Sequence, residues 1–557
     1  MEVTAETPAN PPAEEPVRRR RVRSLPDSIG FWYFLAMVVL APVPDGSIAL
    51  LWIQVWTGFG TVAVLLISYR EASRGAVLLI GGLVVVLAAY GLVAYLQSIS
   101  PGPSPLAIWS EAGTILGIEI APLSGSVRNT PLIFLGRPLL AALVLTVAII
   151  IGPDRQRAGQ VLRAVVGAAC LYGLVGFIGF AFDAESLRPF DQSGALTTFF
   201  LNKNTSAIYL GSAFLIVLAM LLPPAIDAMR ERKPLSSLFS GPGGRRRAIA
   251  ASAGLFVLVL LPLTLSRAGV ILTLLAAIGA VVFKLRLRKS ASIWKLAFGI
   301  LVLLSLIYGI SGGAWRERQV QIGFDSLGRF DAYGMMLGAV KDRPLIGYGL
   351  GSFSESFPQF RTDDLGTSAV FDIGHSTVVE LIFEGGYPLA FLVFAYVALA
   401  GVLLVRGAIR RPSDPYILAG LLVGLIGLVH TSFDFSLQIP GFLIIYLSVV
   451  GIGLGRSFLP REERKYIKTR VVRRPVGQAP EAAPAQALPN EAGTDGRGGA
   501  RLKRVHDKPM RSGKTERNGS DPPPFLWTPM LAFASFRGVF DGHTAPGVSR
   551  GVQAGGG

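Results

Sequence analysis

His375 stands at the end of a long polar interruption, residues 311–376, that lies between two strongly apolar stretches. From there the chain runs His375-Ser376-Thr377-Val378-Val379-Glu380-Leu381-Ile382-Phe383-Glu384-Gly385-Gly386 into apolar sequence. Ionisable residues at membrane depth are costly and tend to be kept for function, and histidine is the side chain whose unperturbed pKa suits proton transfer near neutral pH. Other polar residues stand at comparable junctions. Arg267 follows Ser266 where two apolar stretches almost touch, Lys203 lies between Asn202 and Asn204 ahead of another, and Arg329 and Arg361 belong to the polar interruption. His430 and Asp434 are four apart, so on a helix they would share a face.

Each residue also has a structural explanation. Arg267 could snorkel to a membrane interface, Lys203 could belong to a helix cap, and Arg329 and Arg361 could be solvated loop charges. His375 could face lipid headgroups. A structural hydrogen bond suits His430 and Asp434 at least as well as catalysis does. Glu384 lies nine residues beyond His375, half a turn out of phase on a continuous helix, which favours packing or an interhelical hydrogen bond over orienting the histidine.

The elements that must position these residues are membrane helices. Of 557 residues, 51% are hydrophobic and 16% charged, and apolar runs repeatedly reach the length of about 20 residues that crosses a bilayer core. Apolar spans are expected near 29–41, 47–69, 76–96, 131–151, 161–182, 204–222, 248–265, 268–283, 293–310, 377–405, 416–429 and 441–455. The expected fold is an all-α polytopic membrane protein of about twelve transmembrane helices, with a large periplasmic loop between spans nine and ten.

Charge sets the expected orientation. Arg18 to Arg21 precede the first span, and Arg70, Arg74, Arg155, Arg157, Arg230, Arg232, Arg245 to Arg247, Lys284, Arg286, Arg406 and Arg410 follow in alternate loops. The positive-inside rule then puts both termini in the cytoplasm and the 311–376 loop outside, which in a bacterium with two membranes is the periplasm. The formal charge of +17 is better explained by this pattern than by a nucleic-acid partner. On the same reading, residues 1–28 form a cytoplasmic basic tail and 29–455 the transmembrane domain. Residues 456–557, rich in Pro, Ala and Gly after a basic run, form a disordered cytoplasmic tail whose start lies against anionic lipid.

Several classes lose support. Cys170 is the single cysteine, so an intramolecular disulfide and a cysteine metal cluster are both ruled out. The sequence carries no His-Glu-x-x-His and no glycine-rich phosphate loop of nucleotide-binding spacing. Gly347-Tyr348-Gly349-Leu350-Gly351 lies outside a strand-turn-helix setting and suits tight turns or close backbone contacts. No metal or cofactor is expected.

Taken in order, several segments carry a resemblance. They are Phe200-Leu201-Asn202-Lys203-Asn204, Leu265-Ser266-Arg267-Ala268-Gly269, Arg343-Pro344-Leu345-Ile346-Gly347-Tyr348-Gly349 with Ser352-Phe353, His375-Ser376 with Glu384 and Gly386, and His430-Thr431-Ser432-Phe433-Asp434-Phe435. Together they resemble the successive signatures of the O-antigen ligase and O-antigen polymerase superfamily of bacterial membrane glycosyltransferases, over roughly residues 195–455. Departures include Ser376, where Asn often follows the histidine, Leu389, where a small residue is usual, and Tyr333, where Trp is common.

The resemblance implies an inner-membrane enzyme of surface polysaccharide synthesis, O-antigen or exopolysaccharide. It would take glycan from a polyprenyl-diphosphate donor to a glycan or lipid A core acceptor on the periplasmic side, by inverting displacement and without need of a metal. In that chemistry His375 would be the general base, and Arg267, Arg329, Arg361 and Lys203 would hold the diphosphate. Asn202, Asn204, Glu384, His430 and Asp434 would support them. Guanidinium groups fit the task because they hold phosphate oxygens bidentately and stay charged. The competing class is a transporter or glycan flippase, which predicts charged and broken-helix features near the bilayer midplane rather than at one face.

Overall fold

The computed structural model describes residues 24–70, 72–182, 194–200, 202–287, 319–362 and 372–460, and every regular element among them is helical. The helices are α1 (Leu25–Leu40), α2 (Leu50–Leu66), α3 (Arg74–Ser98), α4 (Ala107–Leu116), α5 (Thr130–Phe134), α6 (Gly136–Ile151), α7 (Arg155–Ala181), α8 (Lys203–Arg230), α9 (Gly244–Leu260) and α10 (Arg267–Leu287). They continue with α11 (Gln319–Ala339), α12 (Phe353–Ser356), α13 (Thr377–Arg410), α14 (Pro415–Thr431) and α15 (Pro440–Ser457). Local chemistry fixes many of the starts. Ser24, Ser73, Asp154, Asn202, Ser376 and Asp414 each accept a backbone N–H of the first turn, which satisfies a donor the helix cannot.

The expectation of about twelve transmembrane helices is corrected. Among the described residues, eight helices are long and apolar enough to cross a membrane. The stretches expected near 29–41, 47–69 and 416–429 fold as α1, α2 and α14, apolar helices of 16, 17 and 17 residues. At 1.5 Å per residue these reach only about 24 to 26 Å, short of a hydrocarbon core of about 30 Å. Hydropathy measures how far apolar residues run, and at α2 the run outlasts the helix, which starts only at Leu50 after the 3-10 turn Asp45–Ser47 and ends at Leu66, before the extended Ile67. The span expected at 293–310, most of the N-terminal tail, Asp363, Asp364 and the chain from 461 onward lie outside the described residues. The eight long apolar helices make this a multi-pass membrane protein.

Packing sets the direction of the helices that matter for function. The reversal at Ser266-Arg267 is real: Pro262 opens a 3-10 turn, Leu265 takes a left-handed φ of 53°, and α10 starts at Arg267. With α9 between them, α8 and α10 therefore run parallel. Glycines let them approach. A Cβ on Gly269 would stand 2.5 Å from the Ala207 Cβ, and one on Gly211 would overlap the Thr273 hydroxyl. α15 is buried between α6 and α14, and its Gly451 and Gly455 lie directly on α6 at Ala148 and Ile149. Small residues at such contacts are how helices associate where lipid offers no hydrophobic drive.

At the opposite end of these helices, two buried ion pairs tie the bundle. Arg157 meets Asp27 at 2.7 Å, joining α7 to α1, and Arg456 meets Asp414 at 2.7 Å, joining α15 to the α14 start. Removing one member of such a pair costs about 3 to 5 kcal/mol because the other charge is stranded. α13 is interrupted: Gly386 adopts φ 78° and ψ 172°, and the next residue, Tyr387, donates its N–H to the Pro344 carbonyl at 2.8 Å. The segment preceding α13 is folded rather than open loop. Tyr348, Phe353, Phe357 and Phe360 pack their rings around Phe383 of α13.

Candidate functional site

The N-termini of α8, α10, α13 and α15 and the C-terminus of α14 come to one end of the bundle. Asn202 caps α8 by accepting the Asn204 N–H at 2.8 Å, which leaves Lys203 as the first helical residue, half-buried. Asn204 donates its side-chain amide to Asp434 Oδ2 at 2.7 Å. Asp434 Oδ1 accepts from the Ser436 hydroxyl at 2.8 Å, and Ser436 lies 3.3 Å from His430 Nδ1 and accepts from Thr205 at 3.1 Å. His430 and Asp434 do interact, at 3.9 Å, but α14 ends at Thr431, so the contact spans a turn rather than a helix face. Both side chains are buried, and His430 Nε2 has no hydrogen-bond partner among the described residues.

His375 sits next to this network. Thr431 donates to the Thr377 hydroxyl at 2.8 Å, tying the end of α14 to the start of α13. The imidazole meets the Phe435 ring edge-on at 5.6 Å between centroids. The His375 backbone is left-handed, with φ 53°, and its carbonyl accepts from the Tyr333 hydroxyl at 2.8 Å. Burial pushes the Tyr333 hydroxyl up from its ordinary value, with the charge of Arg329 opposing and that of Asp434 adding. Arg329, one turn before Tyr333 on α11, is thus close enough for its charge to act at this end.

Arg267 is half-buried at the start of α10. The parallel packing of α8 and α10 puts it at the same end as Lys203. Arg361 follows the 3-10 turn Phe357–Phe360 and is half-buried. Glu384 is one turn below Glu380 and buried; its Oε1 accepts the Phe353 N–H at 3.0 Å, and its carbonyl accepts from Gly349 at 3.1 Å and from the Gln97 amide at 2.8 Å. It therefore braces the 349–353 segment. Gly347, Gly349 and Gly351 all have positive φ, and a Cβ on Gly347 would stand 2.5 Å from the Phe383 and Glu384 carbonyls. Arg343 commits its guanidinium to the carbonyls of Gly347 at 3.0 Å and Ser124 at 2.8 Å.

Sequence reasoning gave no role to Glu380, Ser436 or Arg137. Glu380 Oε2 accepts the Gly374 N–H at 2.8 Å, immediately before His375. The signal available was its place in the first turn of α13. Arg137 and Ser436 had none, because their relevance comes from tertiary contact. Arg137, Thr377, Glu380, Glu384 and Gln438 form the polar end of a cavity of about 480 Å³ whose remaining lining is almost wholly apolar and continues past Tyr396 to Leu404.

Residues 252–394 match the model of the O-antigen ligase family. An O-antigen ligase domain is present in this chain. It supports a glycosyltransferase-type enzymatic role. The matched segment begins within α9, ends within α13, and contains Arg267, Arg329, Arg361, His375 and Glu384. Asn202 to Asn204 and His430 to Asp434 lie outside it in sequence, yet their hydrogen bonds join them to the domain's own end of the bundle. No curated protein matches the chain.

Proposed function

We propose that this chain transfers glycan from a polyprenyl-diphosphate carrier to an acceptor hydroxyl at the periplasmic face of the bacterial inner membrane, as a ligase or polymerase of surface polysaccharide. One observation carries the reading. An O-antigen ligase domain has its histidine beside a cluster assembled from distant segments, Asn204 and Asp434 being 230 residues apart, at the end of the bundle where Lys203 and Arg267 start their helices.

In the proposed step the acceptor oxygen attacks the anomeric carbon, its proton passes to His375, and the bond from that carbon to the diphosphate oxygen breaks with inversion. A positioned base contributes roughly 10² to 10⁴-fold. Arg267, Arg329, Lys203 and Arg361 hold the departing diphosphate, helped by the positive ends of the α8 and α10 dipoles. The diphosphate is already a good leaving group, so fixed positive charge suffices to stabilise it. The apolar cavity below Thr377 suits the chain of the carrier.

A deletion strain complemented with wild type, His375→Ala or Arg267→Ala tests this through its lipopolysaccharide ladder and secreted polysaccharide. Both variants are expected to lose long or attached glycan. Accumulated single repeat units identify a polymerase, and accumulated lipid-linked polymer a ligase. Full complementation by both variants overturns the assignment.

A further inference from the structure

A left-handed φ of 53° at His375 is a conformation that residues with a side chain rarely adopt and that persists only where the surroundings over-determine it. The surroundings here are specific. On the N-terminal side, the Gly374 N–H donates to Glu380 Oε2 at 2.8 Å; on the C-terminal side, the His375 carbonyl accepts from the Tyr333 hydroxyl at 2.8 Å. One residue further on, Ser376 Oγ accepts the Val379 N–H at 3.3 Å and fixes the start of α13. The two clamps come from different elements, Tyr333 from α11 and Glu380 from α13. Glu380 is itself buried and held from behind, by the Gln438 side chain and the charge of Arg137. There is no room to spare at the clamp: a Cβ on Gly374 would stand 2.9 Å from Glu380 Oε2.

We infer that Glu380 and Tyr333 are positioning residues that fix the direction of the His375 imidazole. Neither reacts with substrate in this assignment; Glu380 acts on the segment before His375 from the polar end of the cavity assigned to the carrier. Tyr333 holds the His375–Ser376 peptide and Glu380 holds the Ile373–Gly374 peptide one residue earlier. The short segment between the two anchors, with the left-handed His375 φ inside it, thus keeps one conformation and the Cα–Cβ vector one direction. The inference rests on the reading of His375 as the base, because a lipid-facing histidine would need no such restraint.

The test uses the full-length chain, purified and supplied with lipid-linked glycan extracted from the deletion strain, with variants compared at equal protein. Tyr333→Phe and Glu380→Leu each remove one clamp, whereas Glu380→Gln keeps an oxygen that can accept the Gly374 N–H. Loss of either clamp is expected to lower kcat by on the order of 10 to 100-fold, with the donor KM little changed in Tyr333→Phe, whose side chain lies outside the cavity lining, since a displaced catalytic group costs rate rather than binding. Glu380→Gln is expected to restore most of the rate. A second readout is independent of turnover: in protein labelled with ¹⁵N-histidine, the ring signal that disappears in His375→Ala should move in Tyr333→Phe and Glu380→Leu and stay in Glu380→Gln. An unmoved ring signal in both clamp variants, or equal loss of kcat in Glu380→Leu and Glu380→Gln, overturns the inference. A fully active His375→Ala instead overturns the role of the histidine, and the ring signals still report whether the clamps hold it.

Discussion

At the scale of single residues, the end of the bundle depends on hydrogen bonds that change what the isolated side chains can do. Asp434 is shared between Asn204 and Ser436, and Ser436 also faces His430. A buried carboxylate so partnered keeps its position, and removing one donor costs about 1 to 3 kcal/mol. Tyr333 can be followed by pH. Burial raises its folded value above the ordinary 10.0, so its contribution to stability is fully present below that ordinary value and is lost as pH rises through the folded one. The difference in thermal midpoint between wild type and Tyr333→Phe is therefore expected to be flat across about pH 6 to 9 and to shrink only above about pH 10, as measured on detergent-solubilised protein. The sequence made His375, Lys203 and the arginines stand out because charge at the edge of an apolar run is conspicuous. It did not single out Ser436 or Glu380, since a serine in a turn and a glutamate in a first helical turn are ordinary until their partners are known.

At the scale of elements, positive helix ends gather where the basic residues are. Each contributes roughly half a unit of positive charge over its first turn, which reinforces Lys203 and Arg267. The arrangement depends on how closely α8 and α10 approach. A Cβ on Gly211 would overlap the Thr273 hydroxyl, so Gly211→Val is expected to destabilise the protein by about 1 to 3 kcal/mol, read as a lower thermal midpoint, and to shorten the glycan ladder even at restored abundance. Apolar runs marked most of these helices in the sequence, and the Ser266-Arg267 reversal was readable from polar residues inside one such run. Helix length was not. The apolar run expected over 47–69 folds as helix only over Leu50–Leu66, because turns and local capping decide where a helix begins and ends while hydropathy continues across them. By contrast, α1 and α14 are at least as long as the runs that marked them.

At the scale of the whole molecule, the charge pattern predicts which end faces out. With Cys170 replaced by serine to remove the single native thiol, a cysteine at Ser354, exposed within α12, is expected to react with a membrane-impermeant maleimide in intact spheroplasts. A cysteine at Ser240, exposed between α8 and α9, is expected to react only after permeabilisation. The reverse pattern would put the His375 end in the cytoplasm and remove the periplasmic assignment. The two buried ion pairs, Arg157 with Asp27 and Arg456 with Asp414, lie at the other end of the helices. Rigidity is thus built in at both ends, by charge at one and by a hydroxyl and carboxylate network at the other.

The break in α13 at Gly386 divides a 34-residue helix into unequal parts. The short upper part, Thr377 to Gly385, carries Glu380 and Glu384 and is bonded to the folded 345–353 segment through Phe383, Glu384 and Gly349. The long lower part runs through the apolar layer. A helix in a bilayer tilts to match the thickness around it, and a continuous rod would carry that tilt into the peptide groups flanking His375. At the break, Tyr387 of the lower shaft is bonded to Pro344 and Glu384 of the upper piece to Phe353, so a change of tilt meets the folded segment on both sides of Gly386 before it reaches the histidine.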